Sequence, residues 1–181
     1  MTIHEKMELM NAKEIKRALD RLASEILEQN GGVEGLILVG IRTGGMHLAS
    51  RIKKLITKME GEVPEFGVVD ITLYRDDFFT LEQPQVGDTE IEGDITGKRV
   101  VLVDDVIYTG RTIRAAMDAI VDFGRPRSIQ LAVLIDRGMR ELPIHPDYTG
   151  RQVTADAKER VEVFLKEEGH DDRVVILTAG K

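Results

Sequence analysis

The sequence predicts an α/β fold, a parallel sheet flanked by helices with a small C-terminal hood lobe. Three observations lead there. Residues 36–39, 100–103 and 129–135 are short apolar runs with the composition of strands buried on both faces. Helical periodicity fills the intervals between them, as right-handed crossovers between parallel strands require. Polar, glycine-bearing segments fall at the carboxyl ends of the runs, where sheets of this kind bind ligands.

The elements follow in order. Asn11 with Glu14 three residues on has the pattern of an N-cap and capping box. Ile15, Leu19, Leu22 and Ile26 continue at helical spacing until Gly31-Gly32 ends the helix. The strand at 36–39 runs into Gly40, and a second helix begins near Gly45 and ends before Gly61. Residues 66–74 read as a strand with Val69, Ile71 and Leu73 on one face. Residues 80–97, rich in Gly, Pro, Gln and acids, read as a long mobile loop or loose hairpin. A helix over about 111–123 closes at Gly124 and Pro126, and the strand at 129–135 leads into Asp136-Arg137-Gly138. From about 139 to 181, two prolines and the apolar runs 161–165 and 174–177 predict the hood lobe. No linker or repeat divides the chain, so residues 1–181 read as one domain.

Composition narrows the function. A chain of 181 residues buries a core without staples, and the absence of cysteine excludes disulfides, a thiolate nucleophile and thiolate metal ligands. A formal net charge of −7 excludes a surface that is basic throughout, though not a local basic patch. Residues 1–6 have no apolar stretch and no run approaches membrane-span length, so the expected compartment is the cytoplasm. His4, His47, His145 and His170 form no ligand-spaced pair and read as incidental.

Residues 100–112 carry the strongest functional signal. An apolar strand meets the adjacent carboxylates Asp104 and Asp105, then Tyr108-Thr109-Gly110-Arg111-Thr112 turns into a helix. Backbone N–H groups, two hydroxyls and a helix N-terminus suit a phosphate, and the carboxylates beside them suit the hydroxyls of a sugar. The Gly40-Ile41-Arg42-Thr43-Gly44-Gly45 loop permits close backbone approach and offers Arg42 and Thr43 as phosphate donors. Residues 70–77 read as a lid that brings Arg75 over the substrate and excludes water. The three polar loops 40–45, 104–112 and 136–140 are expected to converge on one cleft.

The string at 100–112 resembles the signature of phosphoribosyltransferases that use phosphoribosyl pyrophosphate (PRPP), whose fold is the type I phosphoribosyltransferase fold. Asp-Ile-Thr-Leu-Tyr-Arg-Asp-Asp at 70–77, Gly124-Arg125-Pro126, residues 128–133, Asp136-Arg137-Gly138 and residues 140–144 resemble, more narrowly, the bifunctional pyrimidine operon regulators that are also uracil phosphoribosyltransferases. The likeness runs from about Asn11 to Arg151 and is loose beyond. It implies transfer of the phosphoribosyl group of PRPP to uracil, giving UMP and pyrophosphate with Mg²⁺, and UMP-dependent binding of pyrimidine leader RNA that promotes transcription termination. The alternative is a uracil or purine phosphoribosyltransferase without an RNA role.

Carried onto this chain, the resemblance implies catalytic roles for Asp104, Asp105 and Arg75. Asp104, Asp105 and residues 108–112 would bind PRPP and UMP; Ile41, Arg42, Thr43 and Arg75 would hold pyrophosphate. Backbone at Arg137 and Gly138 would read uracil. Mg²⁺ would be held mainly by PRPP and pyrophosphate rather than by a protein cage. The equivalent of the loop after Gly40 often holds a cis peptide in these enzymes, expected here at Ile41–Arg42. Lys16, Arg17, Arg21, Arg140 and Arg151 are the candidate RNA contacts, though Asp20, Glu25 and Glu28 share the first helix and Gly44 stands where some members are basic. A homodimer or larger homo-oligomer is also implied.

Overall fold

The computed structural model describes residues 3–77 and 87–179. The chain runs β1 (Ile3–Asn11), α1 (Ala12–Asn30), β2 (Leu36–Ile41), α2 (Gly44–Glu60), β3 (Glu65–Val69) and β4 (Glu90–Ile91). It continues with β5 (Arg99–Ile107), α3 (Arg111–Val121), β6 (Ser128–Asp136), β7 (Tyr148–Gln152), β8 (Glu159–Phe164) and β9 (Arg173–Ala179). The main sheet has the order β4-β3-β2-β5-β6-β7, parallel except for β4, and a second, antiparallel sheet has the order β1-β9-β8.

Alternation along the buried strands sorts two cores. Leu36 and Leu38 of β2 and Val101 and Val103 of β5 join the side covered by α1 and α2. Ile37, Val39 and Ile41, with Val100 and Leu102, join the side covered by α3. Both faces are apolar because helices cover both. Asn11 caps α1: its Oδ1 accepts from the N–H groups of Lys13 and Glu14 at 3.0 and 3.1 Å, while Glu14 accepts from the Asn11 N–H at 2.9 Å.

The structure corrects several expectations. The strand expected over 66–74 stops at Val69, because the Asp70 carboxylate accepts from the Thr72 N–H at 2.8 Å and bends the chain into a 3-10 turn, Thr72–Tyr74. Leu73 is consequently exposed. Of the loop expected at 80–97, residues 80–86 lie outside the described residues; the remainder contains β4, paired antiparallel with β3 at two positions. The apolar run at 100–103 does not end at the carboxylates: β5 continues to Ile107, with Asp104 opposite Val133 and Ile107 opposite Asp136.

The hood is assembled differently from the expected C-terminal segment 139–181. β7 belongs to the main sheet, and the second sheet takes β1 from the opposite end of the chain. Val161, Val163, Val174 and Ile176 of the hood share the core beneath α1 and α2, so hood and sheet pack as one apolar body.

Candidate active site

A cleft of about 870 Å³ opens beyond the carboxyl ends of β2, β3 and β5, walled on the far side by β8 and the turn after it. Asp104 and Asp105 line it from within β5. Asp104 is 6 % exposed, and among the described residues neither carboxylate forms an ion pair; Asp104 accepts from the Asp105 N–H at 3.0 Å and Asp105 from the Val106 N–H at 2.7 Å. Burial, and then the neighbouring Asp105 charge, push the Asp104 carboxyl well above the ordinary carboxylate range. Burial raises Asp105 as well, against the opposing hydrogen bond from Val106.

The loop from β2 into α2 brings Ile41, Arg42, Thr43 and Gly44 to the same cleft. Gly45 is required by close approach, since a Cβ there would sit 2.3 Å from the Val103 carbonyl oxygen. The cis peptide is Arg42–Thr43, not Ile41–Arg42. The Arg42 N–H still donates to Val69 O at 3.0 Å, so the extended backbone of β2 persists one residue further than expected and the chain turns after Arg42. The Arg42 guanidinium donates to Asp88 O at 2.8 Å, and its buried Nε has no hydrogen-bond partner among the described residues. Asp70 joins this corner, accepting from the Gly87 N–H at 3.1 Å. Burial opposes its ionisation, but hydrogen bonds from Thr72 and Gly87 and the Arg42 charge outweigh that and hold its carboxyl below the usual range.

Residues 108–112 leave β5 and enter α3. Gly110 takes φ +92°, the left-handed conformation that glycine tolerates, and Thr109 Oγ1 accepts from the Arg111 N–H at 3.3 Å. A smaller cavity of about 250 Å³ beside this turn is lined by Thr109, Arg111, Thr112 and residues 75–77. Thr112 and Arg75 line both cavities, which makes them the join between the sheet-end cleft and the turn. The side chains of this region are not all turned inward. Arg111 is paired with Asp76 at 2.8 Å and Glu141 at 2.7 Å, and Arg75 forms a two-pronged pair with Asp77, both bonds 2.8 Å. The Tyr108 ring faces the Arg137 guanidinium, 3.9 Å from its centroid.

The third loop expected in the cleft behaves differently. Arg137 is buried, donating to the backbone carbonyls of Glu159 at 3.0 Å and Asp156 at 3.2 Å, so its side chain ties the end of β6 to the hood. The N–H groups of Arg137 and Gly138 are already given to Ile107 O at 3.2 Å and Asp136 Oδ1 at 2.9 Å. The wall opposite the carboxylates is instead β8 and its following turn, with Val161, Phe164, Glu168 and His170. His170, read as incidental in the sequence, lies edge-on to Phe164 with ring centroids 5.0 Å apart. No local pattern marks these residues; only the pairing of β8 with β9 carries them over the cleft.

The candidate RNA cations are dispersed and mostly engaged. Arg21 donates to the carbonyls of Thr149 and Gly150 and pairs with Glu25. Arg140 pairs with Asp136 and donates to Ile144 O and Tyr108 O. Arg151 reaches Leu9 O and Glu14, and Lys16 pairs with Asp20 at 2.6 Å. Arg17 is exposed.

A parallel sheet with a carboxylate pair above its central strand, a Thr-Gly-Arg-Thr turn into a helix and a hood across the cleft defines a phosphoribosyl transferase, and the phosphoribosyl transferase domain profile matches residues 7–171. The fold is shared with a solved hypoxanthine-guanine phosphoribosyltransferase from Bacillus anthracis, at TM-score 0.69 and 18 % identity over 98 % of this chain and 100 % of that one. A purine phosphoribosyltransferase from Pyrococcus horikoshii gives TM-score 0.61 at 26 % identity, covering 80 % of this chain and 86 % of that one. Sequence relatives are nearer. The "Bifunctional protein PyrR" of Thermoanaerobacter sp. (strain X514) is 60 % identical over 172 residues, 94 % of this chain and 97 % of that protein. The protein of the same name from Thermus aquaticus is 56 % identical over 93 % of this chain and 94 % of its own length. The chain belongs to the phosphoribosyl transferase family and, within it, to the bifunctional PyrR proteins.

Proposed function

We propose that the chain transfers the phosphoribosyl group of PRPP to uracil, giving UMP and pyrophosphate, and that it also binds pyrimidine leader RNA under the control of UMP. The observation that carries the reading is the Asp104–Asp105 pair, Asp104 buried, on the strand that leads into a turn beside a cavity of about 250 Å³, in a chain 60 % identical to a bifunctional PyrR protein.

In this reading the 5′-phosphate sits at the turn, with the Thr109 and Thr112 hydroxyls and the N–H groups at the start of α3 as donors. Asp104 and Asp105 accept from the ribose hydroxyls. Arg42 and Thr43, with Arg75 once freed from Asp77, face the pyrophosphate; the unpartnered Nε of Arg42 has a hydrogen bond to give. Uracil lies toward β8, where the Arg137 carbonyl is a candidate acceptor for a ring N–H. The bond from the anomeric carbon to pyrophosphate breaks with its electron pair leaving on oxygen. The uracil ring nitrogen forms the new bond and releases its proton to the leaving group or to water. Catalysis is positioning plus stabilisation of leaving-group charge.

The donor set fits Mg²⁺ brought in with PRPP. Asp104 and Asp105, whose carboxyls burial holds above the usual range, offer hard oxygen donors beside the cleft. Carried mainly by PRPP, with these carboxylates nearby, Mg²⁺ would neutralise charge on the pyrophosphate. The expected setting is the cytoplasm, where PRPP and nascent RNA occur, and the described residues contain no helix long and apolar enough to cross a membrane. A homodimer or larger assembly is supported by the exposed Leu73, Val121 and Phe123, on elements joined by the Tyr74 hydroxyl donating to Asp122.

A radiolabelled-base assay with uracil, hypoxanthine and guanine in parallel tests the enzymatic reading. UMP formation in the presence of PRPP and Mg²⁺ is expected. Conversion of a purine but not of uracil would overturn it.

A further inference from the structure

The turn after β8 reaches the cleft with little structure of its own. Lys166–Glu168 is a single 3-10 turn, and Gly169 follows it at φ +83°, a left-handed conformation that glycine tolerates. Its internal bonds are local. The N–H groups of Glu168 and His170 donate to Leu165 O at 3.0 and 3.3 Å, and that of Gly169 to Lys166 O at 3.0 Å. Glu168 and His170, the residues of the turn that line the cleft, are exposed, so burial does not hold them in place.

Arg51 of α2 supplies the long-range hold. Its Nε donates to Glu167 Oε1 at 2.8 Å and its Nη2 to the other oxygen of that carboxylate. Nη1 and Nη2 donate to the two oxygens of Asp172 at 2.7 and 2.8 Å. One guanidinium thus grips both ends of the segment 167–172, and Asp172 Oδ1 accepts in addition from the Lys166 N–H at 2.9 Å. The Arg51 side chain is 20 % exposed and that of Asp172 11 %, which sets this network apart from solvated surface pairs that contribute little. The bonds from Arg51 hold the Glu167 and Asp172 carboxyls below the usual carboxylate range. α2 starts at Gly44, in the loop that brings Arg42 and Thr43 to the cleft, and its Leu48, Ala49, Ile52 and Ile56 are fixed in the core. Arg51 stands about 10 Å along the helix axis from Gly44. The grip therefore sets the turn against the pyrophosphate corner, on the opposite side of the cleft.

We propose that Arg51 is a positioning residue for base transfer: by gripping Glu167 and Asp172 it sets where Glu168 and His170 stand on the base-facing wall. The inference rests on the transferase reading above, in which uracil lies toward β8. Arg51 does not line the cleft and acts through the turn. The planar fork is the essential feature, because the point charge of an ammonium cannot bond both oxygens of two carboxylates at once.

The test measures transfer kinetics and urea midpoints for the full-length protein, R51M, R51K, E167Q/D172N and the triple variant R51M/E167Q/D172N. R51M is expected to lower kcat/KM for uracil by about 10²-fold, as a misplacement of about 1 Å can, with the KM for uracil rising and the KM for PRPP nearly unchanged. R51K, which keeps the charge without the fork, is expected to fall between R51M and the unsubstituted protein. E167Q/D172N should repeat the pattern of R51M, and the triple variant should be no worse than R51M, since all three remove one shared interaction. A guanidinium that served only the stability of the fold would lower the urea midpoint and the active fraction, hence kcat, and leave both KM values alone; that result would overturn the proposal. Equal rises in the two KM values, or losses that multiply in the triple variant, would overturn it as well. Transfer to a purine instead of uracil by the unsubstituted protein would overturn the uracil reading, and a raised KM for that purine in R51M would still support the role of Arg51. Transfer to no base at all would overturn both.

Discussion

On the sheet side of the cleft, Asp104, Asp105 and Thr112 come from nine consecutive residues and are held by backbone already committed to β5 and α3. On the hood side, Val161, Phe164 and His170 are held by a sheet whose strands come from both ends of the chain. The first wall needs only neighbouring strands to keep its shape. The second needs β1 to find β9 across almost the whole sequence, with two register shifts along the pairing. Two kinds of tie then fasten it: Arg137 donating to the carbonyls of Asp156 and Glu159, and Lys6 of β1 paired with the Glu159 carboxylate. A phosphate-binding wall built locally and a base-facing wall built at long range can therefore be perturbed separately.

The largest effect is expected on the sheet side. Asp104→Asn with Asp105→Asn should lower kcat/KM for UMP synthesis by about 10²-fold or more, because the ribose hydroxyls lose their carboxyl partners. The fold should not suffer. Both carboxyls have folded-state pKa values raised by burial, so in the folded state they retain protons at pH values where the unfolded chain has lost them. Their contribution to stability therefore declines as pH rises from the ordinary carboxylate range through the raised values. Denaturation midpoints of the substrate-free protein should fall over that window, and the double variant should show a shallower fall. A steeper one would mean that the carboxylates are compensated in the folded protein.

Arg137→Met should act on the other wall. Losing a guanidinium bonded to two carbonyls and stacked on Tyr108 is expected to cost about 2–3 kcal/mol, read from the urea midpoint. The KM for uracil should rise while the KM for PRPP moves little; equal changes in both would show that the walls do not act separately. Arg42→Ala is expected to weaken PRPP about tenfold, as loss of a charge-assisted contact does, and to leave UMP binding nearly unchanged, because UMP carries no pyrophosphate. Calorimetric titration of both ligands checks this, and matched losses would remove Arg42 from the pyrophosphate contact. The smallest effect belongs to the joint between the sheets. Asn11→Ala removes the cap where β1 hands over to α1 and should cost about 1 kcal/mol in thermal unfolding, with activity unchanged.

Much of the sheet side was legible because its signals are local. The β-branched run at 100–103, the capping pair Asn11 and Glu14 and the turn at 109–112 each state a backbone preference within a few residues. Where local reading failed, a side chain had intervened: the Asp70 carboxylate captured the Thr72 N–H and ended β3 at Val69, short of the strand expected to residue 74. His170 gave no signal of its own, since a lone histidine after an acidic pair is indistinguishable from a solvated one until β8 carries its turn over the cleft.

By itself the sequence determined which segments are buried strands, which helices cover them and where a phosphate-binding turn leaves the sheet, since periodicity, capping and glycine conformations act over a few residues. Tertiary structure alone decided that Ile3–Asn11 is a hood strand, that Arg137 is a tie rather than a free cation, and that Arg21 and Arg140 are occupied while Arg17 is exposed. The physical reason is the same in each case. A strand's partner and a cation's counter-charge are chosen by groups that chain closure brings together, Arg21 meeting a carbonyl 129 residues away, and no neighbouring residue records that choice.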